Sequence, residues 1–212
     1  SDLLEGNDLY CFRRDSSVVH LSLASGDHLG TRATEDSATQ DFVGRGRMGT
    51  SRNGRFSIIW DGQHSVTVRS ADPSSIDELR HTLPAKPEVT VVAVADDGSR
   101  WAVGCRSGNM WLGTSNAAQA PRCLESGKQP VYGIDITWDG KWIAAVDKDG
   151  VLRVWDINEG SLRFAETGHA YSATRVSLAP DGRRAVTAGH DGKLIVWDLC
   201  VMSVVTSLAE VT

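Results

Sequence analysis

The stretch DGVLRVWDIN (149–158) returns 42 residues later as DGKLIVWDLC (191–200). Both copies begin on an Asp-Gly pair, run through alternating apolar and polar residues and end on Trp-Asp. The echo extends on the N-terminal side. Asp139-Gly140-Lys141 precedes the first copy and Asp181-Gly182-Arg183 the second, and the same turn stands at Asp97-Gly98-Ser99 and Asn53-Gly54-Arg55, at spacings of 44, 42 and 42. A second turn follows in each unit: Asp61-Gly62, Ser107-Gly108, Asp149-Gly150 and Asp191-Gly192. Gly and Asn tolerate the positive φ that a two-residue hairpin turn requires, so these pairs mark hairpins.

Two hairpin turns per unit make three strands, and the segment after Trp-Asp supplies a fourth. The strands read clearly in the last two units, at 131–137, 142–146, 152–155 and 162–165 and again at 174–178, 184–187, 194–197 and 204–208. They are short, rich in β-branched residues and separated by turn residues. A period of about 40–45 residues with four strands is that of a propeller blade. Gly113-Thr114 and Arg69-Ser70 stand in place of Trp-Asp in the two earlier units. Residues 8–34 read as the last three strands of a further unit, with nothing upstream to supply its first. Helical periodicity is weak throughout; 72–83 is the best candidate, and it falls where an outermost strand belongs.

The pattern resembles the WD40 family of β-propellers over nearly the whole chain. The resemblance implies an all-β fold with a partial N-terminal blade at 8–36 and four blades at 42–83, 89–124, 131–165 and 173–210. It also implies a bracing tetrad, complete only in the last unit as His169, Thr187, Asp191 and Trp197. The preceding unit keeps Asp149 and Trp155 but has Lys128 for the His and Ala145 for the Ser/Thr. Rings of this family usually hold seven blades, and a blade needs a neighbour on each face. Together with the opening on Ser1, this predicts that the chain is part of a larger ring.

Composition narrows the function. The 212 residues carry a net charge of −5, with 41% hydrophobic and 23% charged residues, near globular averages and without the basic footprint of nucleic-acid binding. No apolar run reaches the ~20 residues of a membrane span, and the polar opening SDLLEGND is not a signal peptide. Cys11, Cys105, Cys123 and Cys200 are scattered, as free thiols in a reducing, cytoplasmic or nuclear compartment would be. Gly44-Arg45-Gly46-Arg47-Met48-Gly49 matches GxGxxG, but a strand follows it rather than the helix that a dinucleotide site needs. His169, Thr187 and Asp191 fall on brace positions and read as a structural network rather than a catalytic trio. No His or Cys pair has metal-ligand spacing. The expectation is a non-enzymatic chain without cofactor.

In the family, partners dock on the face that carries the second-to-third strand turns and the start of each first strand. The residues placed there are Trp60, Arg106, Lys148 and His190, with Thr90, Tyr132 and Thr174 beside them. Arg, Lys and His around a tyrosine suit an acidic or phosphorylated segment, provided that Asp149 and Asp191 turn inward. The sequence therefore predicts a scaffold for protein partners within a multiprotein complex. A structural subunit of a large assembly, such as a ribosome-biogenesis or cytoskeletal complex, is an alternative. Another is the sensing propeller of a multidomain enzyme or NTPase.

Overall fold

The computed structural model describes residues 3–5, 8–12, 17–22, 28–33, 47–72, 78–84, 87–116, 118–125, 127–201 and 203–209. Every regular element among them is a β-strand. The first sheet comprises β1 (Leu3–Glu5), β2 (Asp8–Phe12), β3 (Ser17–Ser22) and β4 (His28–Ala33). The second holds β5 (Arg47–Thr50), β6 (Phe56–Trp60), β7 (Ser65–Ser70) and β8 (Glu78–Thr82). The third holds β9 (Val89–Val94), β10 (Arg100–Cys105), β11 (Asn109–Thr114) and β12 (Arg122–Glu125). The fourth holds β13 (Val131–Ile136), β14 (Trp142–Asp147), β15 (Val151–Asp156) and β16 (Ser161–Thr167). The fifth holds β17 (Ala173–Leu178), β18 (Arg184–Gly189), β19 (Lys193–Asp198) and β20 (Ser203–Ala209). Each sheet is an antiparallel meander in chain order.

Two details depart from the sequence reading. The three strands expected at the N-terminus are joined by a fourth, β1, only three residues long and paired to β2 through Leu3 and Tyr10. Three residues are too few to show an alternation. The helical candidate at 72–83 contains β8, where Glu78–Thr82 pairs with β7 from Ser65↔Thr82 to Arg69↔Glu78. An amphipathic run at the edge of a half-covered sheet obeys its neighbour, not its weak helical period.

The sheets bury their faces against one another. Ile58, Val66 and Val68 of the second sheet pack on Val92, Val94, Trp101 and Val103 of the third. Met110 and Leu112 of the third meet Ile134, Ile143 and Trp155 of the fourth. Val146, Leu152 and Val154 of the fourth meet Ala185, Ile195 and Trp197 of the fifth. β10 and β14, each enclosed on both sides, are buried at every position after the first. In β18 burial alternates instead: Ala185 and Thr187 are buried, whereas Arg184 and Val186 are exposed. Among the described residues, only the fourth sheet covers it.

Register explains why the third sheet lacks Trp-Asp. Trp197 pairs with Ala185, and the matching pair in the third sheet is Gly113↔Trp101. The large and small residues have exchanged strands. Trp101 is fully buried, and a Cβ on Gly113 would lie 2.0 Å from its ring. One indole still fills the space, delivered from the second strand rather than the third. It loses its hydrogen bond in the exchange: Val103 stands where the fifth sheet has Thr187, and Trp101 Nε1 has no partner.

Candidate functional site

The tetrad positions of the fifth sheet form a connected network. His169 Nδ1 lies 2.9 Å from Asp191 Oδ1, and His169 Nε2 lies 2.8 Å from Thr187 Oγ1. Trp197 Nε1 donates to the same hydroxyl at 3.0 Å, and the Ala170 amide donates to Asp191 Oδ2 at 3.0 Å. Burial alone would raise the Asp191 carboxyl. The hydrogen bonds from His169 and the amides of Ala170 and Lys193 outweigh it and hold the group below the usual carboxylate range. Gly189 makes room for the imidazole, since a Cβ there would sit 2.3 Å from His169 Nδ1. With every polar atom turned inward and paired, the trio braces a loop and presents no nucleophile to solvent.

The fourth sheet braces the same corner differently. Asp147 stands where the fifth has Gly189, and its Oδ1 accepts the amides of Asp149 and Val151 at 2.9 and 3.1 Å. Its other oxygen pairs with Arg153. Asp147 is therefore the buried acid here, and Asp149, expected to turn inward, is exposed. In the second sheet Asp61 plays the part of Asp147, accepting the amides of Gln63, His64 and Ser65.

That correspondence displaces Trp60 from the face. Counted through the ladders, Trp60 aligns with Gly104, Val146 and Ala188, one residue inside the strand. It is 2% exposed within the core shared with the third sheet. The Asp-Gly of the second sheet had been matched to the wrong aspartate of the fourth. Gly62 is the true counterpart of Arg106, Lys148 and His190.

Those three residues share one end of the fold. Their amides donate to the carbonyls of Glu88, Pro130 and Ser172 at 2.8, 3.0 and 2.8 Å, tying each turn to the start of its own sheet's first strand. All three are exposed. Arg106 is not free, because its Nε donates to Glu88 Oε1 at 2.6 Å. Thr90 and Thr174 direct their hydroxyls to backbone carbonyls, Thr90 to Gly104 and Val131 and Thr174 to Ala188 at 3.3 Å. Tyr132 is half-buried.

Two further residues join this end. Gly108 and Gly150 have positive φ, and loops of the following units lie directly over them. A Cβ on Gly108 would meet the Gly127 carbonyl at 2.5 Å, and one on Gly150 would meet the Tyr171 carbonyl at 2.6 Å. Lys128 and Tyr171 thereby stand beside the turns; both are exposed, Tyr171 by 67%. Pro130 and Ser172 accept equivalent bonds and Gly127 covers Gly108 as His169 covers Gly150, so Lys128 answers to Ala170 rather than to the tetrad His169 that the spacing gave it; nothing in the sequence singled out Tyr171.

Between the first strands of the second to fifth sheets runs a cleft of about 450 Å³. Arg52 and Asp135 form an ion pair within it, and Leu178 donates its amide to the same Asp135 oxygen at 2.6 Å. Burial holds Asp135 above the ordinary carboxylate range, although Arg52 pulls the other way. The pair links the second, fourth and fifth sheets. Gly44 and Gly46 of the GxGxxG match lie outside the described residues, and Arg47–Thr50 is strand. Among the described residues no three His, Cys, Asp or Glu side chains converge as a metal would need. No helix among them is long and apolar enough to cross a membrane.

Successive four-stranded meanders, packed face to face with their first strands around a common cleft, are the blades of a β-propeller. The WD domain, G-beta repeat family model matches residues 121–156 and 160–198, which run from β12 to β15 and from β16 to β19. Those residues carry WD40 repeats. It is 34% identical to periodic tryptophan protein 2 of Saccharomyces cerevisiae over 46% of its length, and 30% identical to telomerase protein component 1 of Rattus norvegicus over 55%. These alignments span only 11% and 4% of those relatives. A WD repeat-containing protein, SL1-17 of Schistosoma mansoni, is 29% identical over 67% of this chain and 43% of its own. A chain in a crystal structure of the mitotic checkpoint complex superposes with a TM-score of 0.66 at 17% identity, covering 97% of this chain and 61% of that one. That likeness shows the fold.

Proposed function

We propose that the chain is a non-enzymatic interaction scaffold of WD40 type, acting within a multiprotein complex. It docks an acidic or phosphorylated segment of a partner protein on the end that carries Arg106, Lys128, Lys148, Tyr171 and His190. The observation that carries this reading is a row of exposed cations on consecutive blades, of which Lys128 and Lys148 have no carboxylate partner among the described residues. Carboxylate or phosphate groups would make charge-assisted hydrogen bonds to them, and Tyr171 adds aromatic surface. Asp149 and Glu88 interrupt the row, so the ligand has to present its charges in register with the lysines. The free thiols of Cys105, Cys123 and Cys200 support an intracellular setting.

An array of immobilised peptides, matched in length and differing in charge, tests the proposal. Wild-type chain should be retained on phosphoserine and Glu-rich peptides and lose them as salt shortens the screening length below about 8 Å. Lys128→Glu with Lys148→Glu should abolish that retention with the melting temperature unchanged. Equal retention by the double variant would place the contacts elsewhere.

A further inference from the structure

The cleft at the first strands carries an excess of positive charge. Arg47, Arg52 and Arg175 line it, and Asp135 is the one acid among the described residues that does. Arg52 is engaged by Asp135. Arg47 and Arg175 are exposed, and neither forms an ion pair among the described residues. The whole chain has a net charge of −5, so two uncompensated cations in a concave site run against its overall balance.

Register sets these two arginines at one level. Trp60, Gly104, Val146 and Ala188 are equivalent, and their first-strand partners are Arg47, Val91, Gly133 and Arg175. An arginine therefore stands at each end of the row of four strands, with two uncharged residues between. The ends lie close together. Arg52, which follows β5, and the Leu178 amide at the end of β17 meet on one oxygen of Asp135. Gly133 draws β17 inward at the level of the arginines, since a Cβ there would lie 3.1 Å from Arg175 Cα.

The backbone adds a donor. β17 pairs on one side only, and the Ala179 amide donates across to Arg184 on that side. Amide direction alternates along a strand, so the amides of Leu178 and Val176 point into the cleft. Leu178 donates to Asp135 Oδ2 at 2.6 Å, whereas Val176, which also lines the cleft, has no acceptor among the described residues. One anionic oxygen is thus already held by a guanidinium and an edge amide. Val176 and Arg175 present the same two donors again. The Arg175 guanidinium gives only Nη1 to the Thr174 carbonyl, at 2.9 Å, and keeps its other donors.

We propose that this cleft binds a small phosphorylated molecule whose phosphate groups bridge Arg47 and Arg175. A volume of about 450 Å³ is that of a small-molecule site. Guanidinium forks match phosphate geometry, and a sheet edge with free amides forms an anion-binding concavity. Each phosphate monoester carries about −1.5 to −2 at pH 7, enough to balance the two arginines. Arg106, Lys128 and Lys148 do not line the cleft, so the site is separate from the docking end proposed above.

Isothermal titration of the whole chain with inorganic pyrophosphate and, separately, with orthophosphate tests this. Pyrophosphate, which offers two linked groups, should bind at least about tenfold more tightly. Arg47→Gln and Arg175→Gln should each remove that preference and leave the melting temperature unchanged. Arg175→Lys should keep only part of it, because lysine has the charge without the fork. Lys128→Glu with Lys148→Glu should leave it intact. Absence of pyrophosphate binding at about 1 mM, equal affinity for the two anions, or a preference that survives both glutamine substitutions would overturn the proposal.

Discussion

Exchanging Trp101 and Gly113 tests the packing logic of the blades more sharply than any single deletion. Trp101 is fully buried, and Gly113 has no room for even a methyl group, since a Cβ there falls 2.0 Å from the indole. Trp101→Ala empties the space and should cost about 3–5 kcal/mol. Gly113→Trp forces a second indole into it and should cost at least about 1–3 kcal/mol by overpacking. The double variant rebuilds the fifth sheet's arrangement, with a small residue on the second strand opposite Trp on the third. It should be more stable than Trp101→Ala alone, although independent effects would make it the worst of the three. At about 2–4 °C per kcal/mol for a chain of this size, the gap between additive loss and rescue exceeds 5 °C. Thermal unfolding of the four proteins measures it. Additive losses would refute the view that one indole site is filled from either strand.

The remaining expectations concern the braces and the ion pair. Asp191→Ala removes a carboxylate that accepts bonds from His169 and Ala170 and should cost about 1–3 kcal/mol; Lys148→Ala, on an exposed side chain, should leave the melting temperature unchanged. Burial beside Trp101 lowers the His81 pKa, and its hydrogen bond with the Thr114 backbone offsets this only in part. The folded chain therefore resists protonating His81: its stability is complete above about pH 6.5 and falls as the pH drops below that value. In urea titrations His81→Gln should flatten that limb. Arg52→Ala leaves the partly buried Asp135 without its counter-charge and should cost about 1–3 kcal/mol, the range for a polar group that loses its partner; Arg52→Ala with Asp135→Ala should recover much of it.

Much of the fold was legible because its determinants are local. Paired turns such as Asp139-Gly140 and Asp149-Gly150 require positive φ, and Gly140 and Gly150 have it. The Trp-Asp echo marks third strands where the indole comes from that strand. Where the indole comes from the second strand, as at Trp101, the echo is lost although the packing survives. That is why the third unit looked worn. The site was less legible for a related reason. A two-residue miscount of the Asp61 turn put Trp60 on the surface, and only the ladder shows that Asp61 answers to Asp147. Tyr171 owes its place to a loop crossing a neighbouring blade, a relation between units that no single repeat encodes. The inward turn of Asp147 rather than Asp149 rests on the partner Arg153, one hairpin turn away on the adjacent strand.

The central claim is that this propeller receives acidic segments at the end carrying the second-to-third strand turns. Backbone amide shifts of isotope-labelled chain, followed by NMR while the strongest acidic or phosphorylated peptide from the array is titrated in, test it most directly. The account predicts that the perturbed amides cluster around Arg106, Lys128, Lys148, Tyr171 and His190 and that the shifts shrink as salt is raised. Shifts confined to the opposite end, at the Asp97, Asp139 and Asp181 turns, or spread along β20, would contradict it.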